Sequence, residues 1–487
     1  MKNSNRHHSL STTLFKINAT GAAMLLALGV QTAQANPQGG NVISGQASFN
    51  SSGNILTVTN TPGAIIHWQD FSIRQNEITR FAQQSASSAV LNRVISNNPS
   101  QILGSLQSNG RVFLVNPGGI VFGAGSTVDV AGLVATSLNL SDADFQSGRL
   151  NFSQMPGAQA VSNAGNITAQ HGGEIYLIAP NVQNSGLITA PNGDILLAAG
   201  NSVELVNSLD PNLRVNITAA AGETTNVGQL VASAGNLGLF GTVVKNSGSV
   251  SADSATLQGG KIVFKASQRT EISGIVSATS TSPDKGRLGG VGGTIEILGN
   301  QVGIMDGASV TANGSQGGGT VLVGGDYQGK NPNVPNAQVT YVAPTASISA
   351  DGGIPSPSGG GLGWGNGGKV IVWSDNTTRA YGSISARGGV NGGNGGFVET
   401  SGKQYLDAVG IRVNAGAGAN GIQGQWLLDP SDITLTHSLV LGTPVVAGLF
   451  DPATATGSIT DFDINAALNA GTDVTIQTSA GTGGTGA

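Results

Sequence analysis

Asn163-Ala-Gly-Asn-Ile-Thr-Ala169 recurs as Asn184-Ser-Gly-Leu-Ile-Thr-Ala190, 21 residues later. Gly172-Gly-Glu-Ile-Tyr-Leu-Ile-Ala179 recurs as Asn192-Gly-Asp-Ile-Leu-Leu-Ala-Ala199, 20 residues later. Two unlike phrases repeated at nearly one offset mark a structural unit, and a period of this length is the signature of a stacked array. In each phrase an Ile or Val and the residue two places on point to the same side, because side chains alternate along a strand. The Gly in front supplies the backbone freedom for a corner. Each phrase reads as a short strand preceded by a turn.

Both phrases return downstream with wider spacing. The first reappears at Gly248-Ser-Val-Ser-Ala252, Gly274-Ile-Val-Ser-Ala278 and Gly382-Ser-Ile-Ser-Ala386. The second reappears at Gly260-Lys-Ile-Val-Phe264, Gly293-Thr-Ile-Glu-Ile297 and Gly368-Lys-Val-Ile-Val372. So short a strand cannot bury its apolar face alone, whereas stacked coils put Ile over Ile and Ala over Ala in one narrow core. The expected fold is all-β, a right-handed parallel β-helix. At about 20 residues per coil and a strand spacing of about 4.8 Å, the chain would make a rod on the order of 100 Å long. A β-sandwich or barrel competes with this reading. It needs hairpins, and the Asn-Gly and Asp-Gly turns here precede strands with no matched partner behind them.

The wider spacings predict insertions. Residues 280–291, 326–337 and 351–367 are rich in Gly, Pro and Ser and read as loops on the solenoid. Helical periodicity is nearly absent, Asp461–Leu468 being the best short candidate. The segment from Gly481 to Ala487 is low in complexity and ends without a closing strand or cap, which predicts a fragment of a longer protein. Composition agrees with a turn-rich β-structure: 76 Gly, 39% hydrophobic and only 10% charged residues. A net charge of −5 leaves no basic stripe for nucleic acid. The absence of Cys excludes disulfide staples, thiolate metal sites and a Cys nucleophile.

The first 35 residues read as an export signal. Lys2, Arg6 and Lys16 form a positive region, Gly21–Val30 an apolar run, and Ala33-Gln34-Ala35 a cleavage site that leaves Asn36 as the first mature residue. The apolar run is too short for the roughly 20 residues of a membrane-spanning helix. The expected divisions are thus a signal peptide at 1–35, a first domain at 36–290, Gly-rich coils with loop insertions at 291–430, and a continuing segment at 431–487.

Residues 63–123 depart from the simple repeat. They run through Ile66-His-Trp-Gln-Asp-Phe-Ser-Ile73, Ser88-Ala-Val-Leu-Asn-Arg-Val94 and Ile102-Leu-Gly-Ser-Leu106. Asn109-Gly-Arg-Val-Phe-Leu-Val-Asn-Pro-Gly-Gly-Ile-Val-Phe-Gly123 completes the stretch. This closely resembles the N-terminal secretion domain of two-partner secretion exoproteins, the filamentous haemagglutinin family. In that family a Trp-x-x-Phe strand, a Leu-Asn-Arg-Val strand and an Asn-Gly-x-Val-Phe-Leu strand precede an Asn-Pro-Asn-Gly-Ile turn. Here the turn is Asn116-Pro117-Gly118-Gly119-Ile120, with Gly for the usual Asn at its third position. Both residues tolerate a left-handed backbone, so the turn is expected to survive. The family's Asn-Pro-Asn-Leu motif has no counterpart. Gly368–Trp373, Gly395–Ser401 and Trp426–Pro430 also resemble phrases of large exoproteins of this family.

The resemblance implies a secretion domain that caps the solenoid. It also implies export through a cognate outer-membrane barrel, which recognises that domain in the unfolded chain. Asn92, Arg93, Asn109, Asn116, Pro117, Gly118 and Gly119 are the candidates for transporter recognition and folding nucleus. The alternative is that they only hold turns and strands. The expected product is secreted or held at the outer-membrane surface and acts as an adhesin or haemagglutinin on a cell-surface receptor or glycan. A contact-dependent toxin carrier shares the same secretion domain, and a β-helical carbohydrate-active enzyme is the third reading.

Chemistry-bearing motifs point away from catalysis, cofactors and metals. Gly363-Trp-Gly-Asn-Gly-Gly368 with Lys369 fits a phosphate loop, yet Val370 stands where Ser or Thr would hold magnesium and a strand follows in place of a helix. His67, His171 and His437 are too far apart to announce a zinc site or a triad. Glu174, Asp194 and Glu204 read as single, solvated strand positions rather than paired carboxylates.

Overall fold

The computed structural model describes residues 36–206, 214–219, 222–255, 258–281, 290–353, 363–437, 449–451 and 457–478. The proposed signal peptide and cleavage residues Ala33 and Ala35 lie outside these residues, as do the last nine positions and parts of the loops at 280–291 and 351–367. The two repeated phrases fall on consecutive coils, one directly over the other. Asn163 pairs with Asn184, Ile167 with Ile188 and Ile175 with Ile195, each in parallel register.

Each such coil has three strands and so three faces. The first face carries long strands such as Glu174–Ala179 and Asp194–Ala199, the second short ones such as Val161–Asn163 and Val182–Asn184. Both belong to a 26-stranded sheet, because Asn236–Asn246 and Lys261–Ile272 turn the corner and pair on both faces. The third face is a 14-stranded sheet from Ala47–Ser52 to Arg412–Asn414, parallel throughout except at its first pair. The fold is an all-β parallel β-helix. Inward residues form one continuous core, with Ile167, Ile188, Leu230, Val250, Val276 and Val310 stacked along the third face.

The expected coil length needs correction. The spacing of 20 or 21 residues holds between Ile167 and Ile188 and between Leu230 and Val250. From Leu56 to Val413, however, 357 residues climb only twelve steps, about 30 per coil. The stack is therefore about 60 Å high at the usual strand spacing, not 100 Å. The difference lies in insertions. One of them is a four-stranded antiparallel sheet of Asn139–Leu140, Leu150–Ser153, Ser202–Val206 and Arg214–Ala219, which sequence reasoning missed. A short helix, Asp142–Gln146, sits between its first two strands, with Ser141 accepting the Asp144 N–H at the N-cap.

The antiparallel sheet covers the outer side of the first face. Phe145, Phe152, Val203 and Leu205 pack there on outward-facing Ile65, Leu91, Phe113, Val134, Tyr176 and Leu196 in a second buried cluster. This explains why Ile-Tyr-Leu-Ile and Ile-Leu-Leu-Ala are apolar at every position: those strands are buried on both sides.

Both ends of the described stack carry special elements. Asn41–Ser44 pairs antiparallel with Ala64–Trp68, and Ala47–Ser52 with Ile55–Asn60, so two faces begin on a reversed strand. Trp68 packs edge-on against Phe49 and Phe71, with ring centroids 5.4 and 5.6 Å apart. At the other end the predicted helix is present as Asp461–Asn469. Thr460 and Asp463 form a capping box, and buried Ala467 packs toward Arg412–Asn414, where the third face would continue.

Candidate functional site

The motif residues of 63–123 stack as consecutive coils of the first face. Ala64–Trp68 lies under Ala89–Val94, which lies under Arg111–Val115. Alternation sends Asn92 inward and Arg93 outward. Asn92 is fully buried; its Oδ1 accepts from Trp68 Nε1 at 2.9 Å and its Nδ2 donates to the Phe113 carbonyl at 3.3 Å. One buried amide thus ties three coils together and satisfies the indole N–H in a dry core.

Arg93 works on the other side. Its guanidinium donates to Asp142 Oδ1 and to the Leu140 carbonyl, both at 2.6 Å, and lies 3.3 Å from His67 Nε2. Burial, then the Arg93 charge, holds the His67 pKa below the ordinary imidazole value, partly opposed by Asp142. Arg93 therefore fastens the short helix and the first strand of the antiparallel sheet to the solenoid.

Asn109 and Asn116 serve corners. Asn109 exchanges two 2.8 Å hydrogen bonds with the backbone of Gln83 on the coil below, imitating a strand pair. Asn116 is fully buried, accepts from the Gly118 N–H at 2.8 Å and donates to Asn98 O and Ser100 Oγ at 2.9 Å. The Pro117 carbonyl accepts from the Gln159 N–H. The turn keeps its shape with Gly at its third position, but the reason differs from the expectation. The left-handed residue is Gly119, at φ 95°, whereas Gly118 has no positive φ. A Cβ on Gly118 would stand 2.7 Å from Asn97 O and 2.8 Å from Asn98 O. The seven candidates thus occupy the core, the outer face and two corners, and form no single patch.

Three arrangements escaped the sequence reading. The first is a buried amide ladder on the second face. Asn163 Nδ2 donates to Asn184 Oδ1 at 2.8 Å, Asn184 to Asn226 at 2.8 Å and Asn226 to Asn246 at 2.7 Å. All four are at most 1% exposed. The Asn that opens each repeated phrase was its visible signal.

The second is a recess of about 510 Å³ between the first face and the antiparallel sheet, lined by Arg111, His171, Glu174, Tyr176, Asp194 and Leu205 among others. Here the reading of single, solvated carboxylates needs correction. Glu174 is ion-paired to Arg111 and sits in register with Asp194, which accepts from Asn236 Nδ2 at 2.9 Å. Gly132, on the coil between Arg111 and Glu174, leaves the space for that pair. Only Glu204 is exposed as expected. Burial, then Asp194 and Glu174, raises the Tyr176 pKa above its ordinary value.

The third is a strap formed by the predicted loop at 326–337. Gln328, in a left-handed conformation at φ 52°, donates its N–H to the Glu399 carboxylate at 3.2 Å and its Nε2 to Asp429 Oδ2 at 2.7 Å. Glu399 is fully buried, and burial foremost, with Asp429 and Asp326 adding to it, pushes its pKa up to about 7. Lys369, the decoy phosphate-loop lysine, is engaged with Asp326 at 2.9 Å beside this strap.

The three-faced β-helix carries the motif-bearing segment on its first coils, beside the reversed strands. Residues 33–278 match the TPS secretion domain family, and the chain belongs to it. The crystal structure of the HMW1 secretion domain from Haemophilus influenzae is similar over 81% of this chain and all of that one, with a TM-score of 0.71 and 32% identity. A heme/hemopexin-binding protein of Haemophilus influenzae is 43% identical over 105 residues, 21% of this chain and 12% of that protein. A second protein of that description is 43% identical over 77 residues, 16% of this chain and 8% of it. The matched stretches thus span about an eighth or less of these curated relatives. The chain thus carries the secretion domain of two-partner secretion exoproteins over about its first half. Among the described residues no helix is long and apolar enough to cross a membrane.

Proposed function

We propose that this chain is the secretion domain and stalk of a surface-displayed adhesin. The observation that supports this most is the continuity of the fold: the family match ends at residue 278, but the third face continues in register to Arg412–Asn414. A secretion domain that runs into further coils is suited to holding binding surfaces away from the membrane. In this reading residues 1–35 direct the chain into the periplasm and are removed after Ala35. The unfolded secretion domain then engages the transporter, and coils form outside. Each new coil buries apolar side chains on the one before, which favours outward movement without ATP. Asn92, Arg93, Asn109 and the Asn116–Gly119 turn act by letting the first coils form. The role is one of binding, not catalysis.

The test has two arms. Deleting the gene of the cognate transporter is expected to abolish the protein in the medium and at the surface; unchanged export would refute the mechanism. Purified chain 36–487 coated on beads is expected to make them adhere to host or neighbouring bacterial cells, and beads that do not adhere would remove the adhesin reading.

A further inference from the structure

Three of the most exposed apolar side chains in the described residues, Trp364 at 62%, Val390 at 76% and Ile422 at 74%, lie on one corner of the solenoid. They sit on successive coils, in the turns that lead into Lys369–Ser374, Phe397–Gly402 and Gly424–Leu428. The turns touch. A Cβ on Gly392 would meet the Trp364 ring at 2.5 Å, and Gly393 and Gly421 approach the carbonyls of Gly365 and Gly393.

The polar groups of this corner are amides, and no charged residue occurs in 363–368, 388–396 or 415–424. Nearby Arg387 and Lys369 are committed to Asp351 and Asp326. Asn366 Oδ1 accepts from the Asn394 N–H at 2.8 Å, and Asn394 Oδ1 from the Ile422 N–H at 2.9 Å. Each carbonyl is thereby spent on the next coil, and each amide NH2 is left without a partner among the described residues.

We propose that this corner binds a neutral, unbranched glycan, a reading that rests on external display of the folded chain. An exposed indole offers a flat apolar face to the C–H side of a pyranose ring, and the Asn366 and Asn394 amide donors offer hydrogen bonds to its hydroxyls. The corner repeats every coil, at about 4.8 Å, a rise close to the length of one pyranose unit. A charged ligand would find no counter-charge here. A second copy of the chain would find only three apolar side chains, far short of the about 800 Å² per partner that a stable protein interface buries.

Trp364 also supplies the assay, since Trp68, Trp373 and Trp426 are at most 3% exposed. Chain 36–487 is titrated with cellohexaose, mannohexaose and chitohexaose while Trp emission is followed. A saturable emission change with at least one of them is expected, with binding weakened at least tenfold in Trp364→Ala and in Val390→Asp and unfolding midpoints unchanged. A flat titration with all three, or binding that Trp364→Ala leaves intact, overturns the proposal. So does Trp364-dependent self-association in sedimentation, which would assign the corner to a second copy. Binding by purified chain that does not support cell adhesion would sink the adhesin reading and leave this site standing; adhesion unaffected by Trp364→Ala, with flat titrations, would do the reverse.

Discussion

Replacing Asn184 by Ala removes the second rung of a four-membered buried ladder. Two inter-coil hydrogen bonds vanish, from Asn163 Nδ2 and to Asn226 Oδ1, both 2.8 Å long. Each contributes about 1 kcal/mol net, and the Asn226 oxygen left without a donor in a dry interior costs a further 1–3 kcal/mol or so. The expected loss is therefore about 3–5 kcal/mol. Asn246→Ala, at the end of the ladder, removes one inter-coil bond of 2.7 Å, and Asn226 Nδ2 retains the Gly228 carbonyl at 3.4 Å. Its cost should be nearer 1–2 kcal/mol. Urea unfolding of chain 36–487 measures both, at unchanged denaturant slope. Combining Asn184→Ala with Asn226→Ala should cost less than the sum of the two by about 1–2 kcal/mol, because the partners share one interaction. Equal, small losses for the middle and end positions, or strict additivity, would refute the idea that the amides act as one chain of hydrogen bonds.

Glu399 gives a pH dependence. Its pKa in the fold is about 7 against an ordinary 4.5, so the folded chain holds a proton that the unfolded chain releases between those values. Its contribution is fully present below pH 4.5, falls as pH rises to 7, and stays low above it. Glu399→Gln should thus raise stability at pH 8 by up to about 3 kcal/mol and leave it unchanged at pH 4, as read from urea midpoints at the two pH values. Arg93→Ala should cost about 1–3 kcal/mol and speed protease cleavage near Asp142–Gln146, since the bonds to Asp142 and to the Leu140 carbonyl are lost; unaltered cleavage would contradict the fastening role. Gly118→Asn, which restores the family's usual residue, should destabilise by about 1–3 kcal/mol because its Cβ meets two carbonyls. A neutral or stabilising outcome would mean that the 96–99 segment yields.

The fold was legible because the repeated phrases carry both halves of a coil at one offset, and their in-register stacking is the simplest way to bury Ile175 and Ile195 together. Coil length was not, because local alternation says nothing about how many residues an insertion draws out between strands. The antiparallel sheet hid for a related reason. Its two halves lie far apart in sequence, at 139–153 and 202–219, and the double-sided burial it imposes looked like ordinary apolar richness in Tyr176 and Ile178. The motif residues were legible as types but not as places: Asn92 and Arg93 are adjacent in sequence yet face opposite sides of one wall. The Glu174–Asp194 register follows from the same offset as the repeat and was available to the sequence reading. The strap over Glu399 was not, since it joins residues 71 positions apart.

The reversed strands at the start of the stack give its two ends unlike edges. Asn41–Ser44 and Ala47–Ser52 occupy the lower edges of the first and third faces in the antiparallel sense. The parallel register of the coils therefore ends at these strands on those faces, and a strand laid beneath them in the coil direction would have to pair antiparallel. The described coils carry the parallel ladder on only from the other side, toward Arg412–Asn414. The solenoid is thus polar along its axis: parallel pairing runs on from one side of its first coil and stops at the other.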